Sequence, residues 1–399
     1  HLRTLHIVMM GLASSCCGSS RKISPRAGRS SDGMSHRALV ALMRTGAQCA
    51  PNSVPMLRLL CDTGVPGLML RWDVRHESDH IQRSLHGNQP GAKDVLSIEW
   101  VLPSACEQGS ESSEASGSTT STSSTGAKSS RSYWSSWSLF AQRPLRSEFR
   151  RVVLYLHGGA YLLCTPGSLR GITYNMAASL NAAVCVPEYR RPPEHPVPVP
   201  MENPQQLDAL LAYRHILETM PGAEIVLAGD SAGGGIAAAM LGYLRDSGLP
   251  FPSSCVLISP WTDLGGNGLE NATMANEGED YLPPSLIDFC ARSARGDIHG
   301  KDWRVSPVYL EGPLHNLPPI MVVYGECELL RGQVEHFCKA WSMKGADIRP
   351  WPVEGGVHAP ILFQHVWEPS QRALSEVARF VNECGSRDAS PVSASLLEV

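Results

Sequence analysis

The run Gly229-Asp230-Ser231-Ala232-Gly233 sets one serine between two glycines at the G-x-S-x-G spacing. Before it, residues 225–228 are a short apolar run of the length a buried parallel strand needs. After it, residues 236–244 are Ala-rich and suit a helix. A strand, a tight turn and a helix would hold Ser231 in strained backbone geometry with its neighbours crowded close. The helix would also aim its positive end at the serine oxygen. The chemistry indicated is nucleophilic attack by a hydroxyl.

A serine hydroxyl is barely nucleophilic near neutral pH, so a base must take its proton and donors must hold the charge that develops. Residues 151–156 are a second strand candidate running into His157-Gly158-Gly159-Ala160-Tyr161. A glycine pair straight after a strand lets the N–H groups of Gly158 and Gly159 turn towards one point, and the N–H of Ala232 would complete an oxyanion hole. The base candidate is His358, in the loop after the strand candidate 348–353. Another strand candidate, 320–324, is followed by Gly325-Glu326-Cys327-Glu328. Either glutamate could supply the buried carboxylate that fixes an imidazole tautomer.

Six motifs in order give the chain a resemblance. They are His157-Gly158-Gly159-Ala160-Tyr161, Glu188-Tyr189-Arg190, Pro193-Glu194-His195-Pro196, Gly229-Asp230-Ser231-Ala232-Gly233-Gly234, Ser259-Pro260-Trp261-Thr262-Asp263-Leu264 and Ser306-Pro307. Across residues 95–381, with one insertion, the chain resembles the hormone-sensitive-lipase-like branch of the α/β-hydrolases. That resemblance implies an α/β-hydrolase fold: a mostly parallel central sheet of eight-strand type, flanked by helices, with a helical cap from two separate segments. It implies hydrolysis of short-to-medium acyl esters of an apolar alcohol through an acyl-enzyme, with no cofactor and no metal. Steryl or aryl acetate deacetylation is a narrower version that an apolar cap would permit. The chain order Ser231, acid, His358 is the order this fold uses. The family carries an aspartate three positions after the glycine, where Glu328 stands here, so the resemblance favours Glu328 over Glu326. It also makes Tyr189 and Arg190 buttresses of the loops around the site. Tyr161 and Trp261 are the substrate-binding candidates, with a purely structural tryptophan as the competing reading of Trp261.

The elements that must position these residues follow the chain. Residues 1–35 are expected to be disordered, being rich in Ser, Gly and basic residues over 14–33. Residues 36–94 are assigned to an N-terminal cap, with short helices at 37–43 and 56–60. The catalytic domain spans 95–385, with its first strand at 95–102. Residues 104–138 are a Ser/Thr/Gly insertion with too few apolar side chains to fold. Helices are expected at 171–180 and 204–217, and strands at 182–187 and 255–259. Residues 265–300 break the alternation and resemble a second cap segment. A disordered tail covers 386–399.

Composition bounds the partners. Of 399 residues 43% are hydrophobic, ample for a large core, and a net charge of −4 argues against nucleic acid or an acidic membrane. The partner is a small-molecule ester, and the pattern is compatible with peripheral contact to a membrane surface through the N-terminal cap. The twelve cysteines have no regular framework and several lie in apolar runs, which reads as free thiols in a reducing compartment. An intracellular site, cytoplasmic or at an internal membrane, is expected; oligomeric state is left open.

Two readings from other classes compete. One is a hydrolase-fold binding protein without turnover, which would have no need of Ser231, His358 and a carboxylate together. The other is zinc chemistry at His76-Glu77-Ser78-Asp79-His80, which matches H-E-x-x-H. Arg75 and Asp79 put charges where a buried metal helix needs apolar residues, so a solvated charged surface segment is the expectation there.

Overall fold

The computed structural model describes residues 40–41, 43–44, 74–82, 95–103, 145–192, 208–265 and 279–386. Its centre is a sheet in the order β1-β2-β4-β3-β5-β6-β7-β8. The strands are β1 (Val74–Gln82), β2 (Val95–Pro103), β3 (Arg151–Leu156), β4 (Ala183–Pro187), β5 (Glu224–Asp230), β6 (Ser254–Ile258), β7 (Ile320–Gly325) and β8 (Ile348–Val353). β1 and β2 run antiparallel to each other, and β2 runs antiparallel to β4. From β4 to β8 every pairing is parallel.

The central strands read as unbroken apolar runs because both faces are covered, as a parallel sheet requires. Along β3, Val152, Leu154 and Leu156 enter one core while Val153 and Tyr155 enter the other. The first core takes the apolar faces of α2 (Asp208–Thr219), α3 (Ser231–Ser247), α4 (Pro284–Arg295) and α5 (Arg331–Met343). The second takes those of α1 (Arg170–Leu180) and α6 (Glu368–Gly385). Five of the seven described cysteines are buried.

Three expectations change. The sheet begins at Val74 and not at Val95, because residues 74–82 carry a period-two exposure pattern and pair along their whole length with β2. Val74–Gln82 is therefore sheet and not cap. His76 and His80 then share one face of a strand about 13 Å apart along the chain, at roughly 3.3 Å per residue, too far to ligate one ion. Side chains from elsewhere in the chain occupy this stretch: His76 meets Tyr174 and Glu99, and Asp79 pairs with Arg146 and His215. Finally, α4 lies inside the expected second cap, yet Ile287, Cys290, Ala291 and Ala294 bury into the main core. Those four recur at helical spacing, so α4 turns one apolar face into that core.

The remaining cap expectation is visible only in part. Val40 and Met43, in a helical stretch, pack with Tyr281, Val357 and Phe363 beside the loop that carries His358. Residues 56–60, 104–138, 266–278 and 387–399 lie outside the described residues.

The outer edge of the sheet is blunted. Ile320 N–H donates to Asp347 O, and Glu326 N–H donates to Val353 O. Odd-numbered positions of β8 therefore face β7, and the even positions Pro350 and Pro352 face outward. Proline has no N–H, so the outer edge lacks two of the donors another strand would need.

Candidate active site

The nucleophile candidate is built by the turn from β5 into α3. Ser231 has φ 52°, left-handed backbone that a serine adopts only under constraint. Gly233 makes the turn possible, because a Cβ there would sit 1.9 Å from Leu156 O. The Ser231 carbonyl accepts the N–H of Trp261 at 2.8 Å, which braces the strained residue from β6. As the first residues of α3, Ser231 and Ala232 have N–H groups with no acceptor inside the helix.

His358 Nε2 lies 2.8 Å from Ser231 Oγ. That is hydrogen-bond distance for an imidazole receiving a hydroxyl proton. Burial pushes the imidazole down to about 3, so it is neutral and able to accept at neutral pH. The ring of Tyr281 stands edge-on to it, with centroids 6.2 Å apart.

Glu328 is fully buried, whereas Glu326 is half-buried. Burial raises the Glu328 carboxyl to about 8, against hydrogen bonds from Ser259 and Gly325 that favour its charge, and the nearby Asp280 charge raises it further. Its Oε2 accepts from Ser259 Oγ at 2.5 Å and from Gly325 N–H at 2.9 Å. The expected bond from His358 Nδ1 to Glu328 is not made in this structure: Nδ1 is buried without a hydrogen-bond partner. Ser259 and Gly325 hold Oε2 of the carboxylate instead.

The loops carrying acid and base are nevertheless locked together. Cys327 N–H donates to Gly356 O at 2.7 Å, extending the β7–β8 pairing beyond the strands. Asp280 joins them from a third segment. Its Oδ1 accepts from the His358 N–H at 3.2 Å and its Oδ2 from the Leu329 N–H at 2.7 Å. Burial raises this carboxyl to about 6 while the backbone donors oppose the shift. Neither Asp280 nor Ser259 was singled out as a functional residue by sequence. The one available signal was Ser259 opening a motif at the end of a strand; Asp280 sits in a segment read as cap.

Of the expected oxyanion donors, Gly158 has its amide turned to another partner. The Gly158 N–H donates to Asp230 Oδ1 at 2.8 Å, and that oxygen also accepts Tyr155 OH at 2.7 Å, so the Gly158 amide is already engaged. Gly159, Ala160 and Tyr161 then take φ of 114°, 53° and 65°, turning the chain back sharply. Gly159 O closes that turn by accepting from Leu162 and Leu163. His157 is stacked on Tyr189 with ring centroids 4.3 Å apart, and Tyr189 OH donates to His157 O at 2.5 Å. Arg190 forms an ion pair with buried Asp208.

Tyr161 and Trp261 do not line a substrate surface. They are 2% and 0% exposed. Tyr161 OH donates to Trp261 O at 2.8 Å, and Trp261 Nε1–H donates to Asp263 O. Both rings sit behind the turn and brace it, Trp261 through its backbone bond to Ser231.

A model of the α/β-hydrolase fold matches residues 153–362, more than half of the chain. The chain belongs to the α/β-hydrolase family. An acetyl-hydrolase of Streptomyces hygroscopicus is 36% identical over 250 residues, 61% of this chain and 77% of the relative. An esterase of Acinetobacter venetianus is 26% identical over 241 residues, 59% of this chain and 76% of the relative. Among solved structures, an esterase of the bacterial hormone-sensitive lipase family superposes with a TM-score of 0.68 at 22% identity, covering 90% of this chain and 99% of its own. The α/β-hydrolase described here is a carboxylesterase- or lipase-like serine hydrolase. Among its described residues no helix is long and apolar enough to cross a membrane.

Proposed function

We propose that this α/β-hydrolase cleaves short-to-medium acyl esters of apolar alcohols through a covalent acyl-enzyme on Ser231. The observation that carries the reading is the 2.8 Å approach of His358 Nε2 to Ser231 Oγ at a strained strand-to-helix turn. His358 takes the hydroxyl proton as Oγ attacks the ester carbonyl carbon. The negative oxygen of the tetrahedral intermediate is received by the N–H of Ala232 and by those of Gly159 and Ala160, which follow the engaged Gly158 amide. Collapse of the intermediate breaks the bond to the alcohol oxygen, which leaves with the proton from His358 Nε2. Water then attacks the acyl carbon, giving its proton to the same nitrogen, and collapse breaks the acyl–Oγ bond as Ser231 Oγ takes that proton back and the carboxylic acid leaves.

Glu328 is the proposed triad acid. Its buried charge stabilises the imidazolium that exists only while the reaction proceeds, and hydrogen bonds of this kind commonly tighten only on the reaction path. The imidazolium carries a proton on Nδ1, and acceptance by Glu328 then falls to Oε1, since the Ser259 and Gly325 bonds both fall on Oε2. The relative named acetyl-hydrolase supports a small acyl group, acetate above all.

A panel of nitrophenyl esters of graded acyl length tests this reading. Turnover should be greatest at short-to-medium chains and vanish in Ser231→Ala. Persistent turnover in that variant would remove Ser231 from the mechanism.

A further inference from the structure

Ser259 sits where β6 ends, directly before Pro260, and is fully buried with φ 44°. Its own N–H donates to Val323 O at 2.7 Å, so its backbone is fixed to the neighbouring strand β7. Its hydroxyl does two things at once. It donates to Glu328 Oε2 at 2.5 Å and accepts the N–H of Ala359, the residue after His358, at 3.0 Å. One side chain from a third strand therefore touches the carboxylate of the acid and the backbone beside the base.

The roles of donor and acceptor are settled by chemistry. An amide N–H can only donate, so the Ser259 oxygen accepts from Ala359 and its own proton points at Glu328. In a chain of this kind each bond polarises the next, so the bond into the carboxylate is strengthened. A glutamate has one more rotatable bond than an aspartate, and the oxygens of its carboxylate would otherwise swing through a wider arc. Two donors on Oε2, one from Ser259 and one from Gly325, remove that freedom.

We infer that Ser259 is a positioning residue of the triad: its hydroxyl orients the Glu328 carboxylate, favours its charged form and ties it to the loop that carries His358. The inference rests on the proposed triad and deepens it. Ser259 touches no substrate, being fully buried behind the acid, so it acts on the rate of the chemical steps and not on substrate affinity. The donor also sets the proton balance. A hydrogen bond to an ionised carboxylate stabilises the charge, and losing it moves ionisation to higher pH.

The geometry separates this role from simple packing. The left-handed backbone at Ser259 is strained for any residue with a Cβ, and glycine adopts it freely. If Ser259 served only the turn, Ser259→Gly would be neutral or better, and Ser259→Ala would be close to neutral. If its hydroxyl positions the acid, both lose it equally.

The test compares Ser259→Ala, Ser259→Gly, Glu328→Gln and the two double variants on one nitrophenyl ester across pH, with fluorophosphonate labelling of Ser231 as a second readout. Ser259→Ala and Ser259→Gly should both lower kcat about ten- to a hundredfold, the range for a lost bond to a charged group, with KM nearly unchanged. The acid limb of their kcat profiles should lie at higher pH than that of the unaltered enzyme. In the Glu328→Gln background the same substitutions should cost little, because the carboxylate they serve is gone. Full activity in Ser259→Gly, an unmoved acid limb, or additive losses with Glu328→Gln would each overturn the inference. These outcomes leave the ester-hydrolase reading standing, since the unaltered enzyme supplies the reference rate. An unaltered enzyme that neither turns over esters nor labels at Ser231 would overturn both.

Discussion

The carboxylate of Asp230 accepts the N–H of Gly158 at 2.8 Å, so the residue before Ser231 holds the start of the loop proposed to supply the oxyanion donors. Strand β5 thus delivers Ser231 and, one residue earlier, the group that aims the loop opposite it. A Cβ at Gly158 would fall 2.1 Å from Asp230 Oδ2, which explains the glycine at that place. In Asp230→Ala the loop loses its anchor and the Tyr155 hydroxyl and Gly158 amide are left buried without it. Stability should fall by about 1–3 kcal/mol. Because the donors are misaimed, kcat should drop on the order of a hundredfold with KM little changed. Kinetics and thermal unfolding of the same preparation check both.

Glu328 and Glu326 should separate cleanly in the same assay. Glu328→Gln keeps the shape but can present an amide that favours the wrong imidazole tautomer, an error worth roughly ten-thousandfold in a serine triad. Glu326→Gln should change turnover by less than about threefold, since a half-buried carboxylate elsewhere in the loop acts only through screened charge. Measuring kcat of both variants above the range in which Glu328 titrates decides between them.

The buried acid also sets a pH signature. Its carboxyl, raised to about 8, is neutral below that range and charged above it, and the charged form is the one that stabilises an imidazolium. Turnover should therefore rise as pH climbs through that range, and this rise should be missing in Glu328→Gln. Stability runs the other way. A group whose folded value is raised binds its proton more tightly when folded, so its contribution is fully present below the ordinary value of 4.5 and is lost as pH rises to about 8. Above that range Glu328→Gln should unfold at a higher temperature than the parent, by on the order of a few degrees. Scanning calorimetry at either end of the range tests the sign.

Much of this architecture was legible in sequence, and the residues show why. Strands β3 to β7 announce themselves as apolar runs because a buried parallel sheet leaves little room for polar side chains. The serine turn was legible because close approach excludes everything but glycine at Gly233. What failed was what depends on contacts distant in the chain. β1 carries five charged or imidazole side chains and reads as surface, since its pairing with β2 is an edge event in which charges meet partners such as Arg146 and His215. Gly158 looked like an oxyanion donor until Asp230, seventy-two positions away, was seen to hold its amide. Asp280 and Ser259 work by bridging loops, a role no local pattern encodes.

The outward prolines of β8 carry a consequence for assembly. With no N–H at Pro350 and Pro352, that edge resists pairing with a second copy of the chain. Replacing both with threonine should expose a complete ladder edge and raise self-association. Light scattering over a concentration series should show a larger mass for the double variant, and an unchanged mass would mean the edge is protected by something else.

The central claim is that Ser231 becomes acylated because His358 takes its proton. Peptide mapping by mass spectrometry after treatment with a fluorophosphonate measures this directly. One adduct is predicted, on the peptide containing Ser231, absent in Ser231→Ala and slowed by several orders of magnitude in His358→Ala. An adduct on another residue, or undiminished labelling of Ser231 without the histidine, would contradict the account.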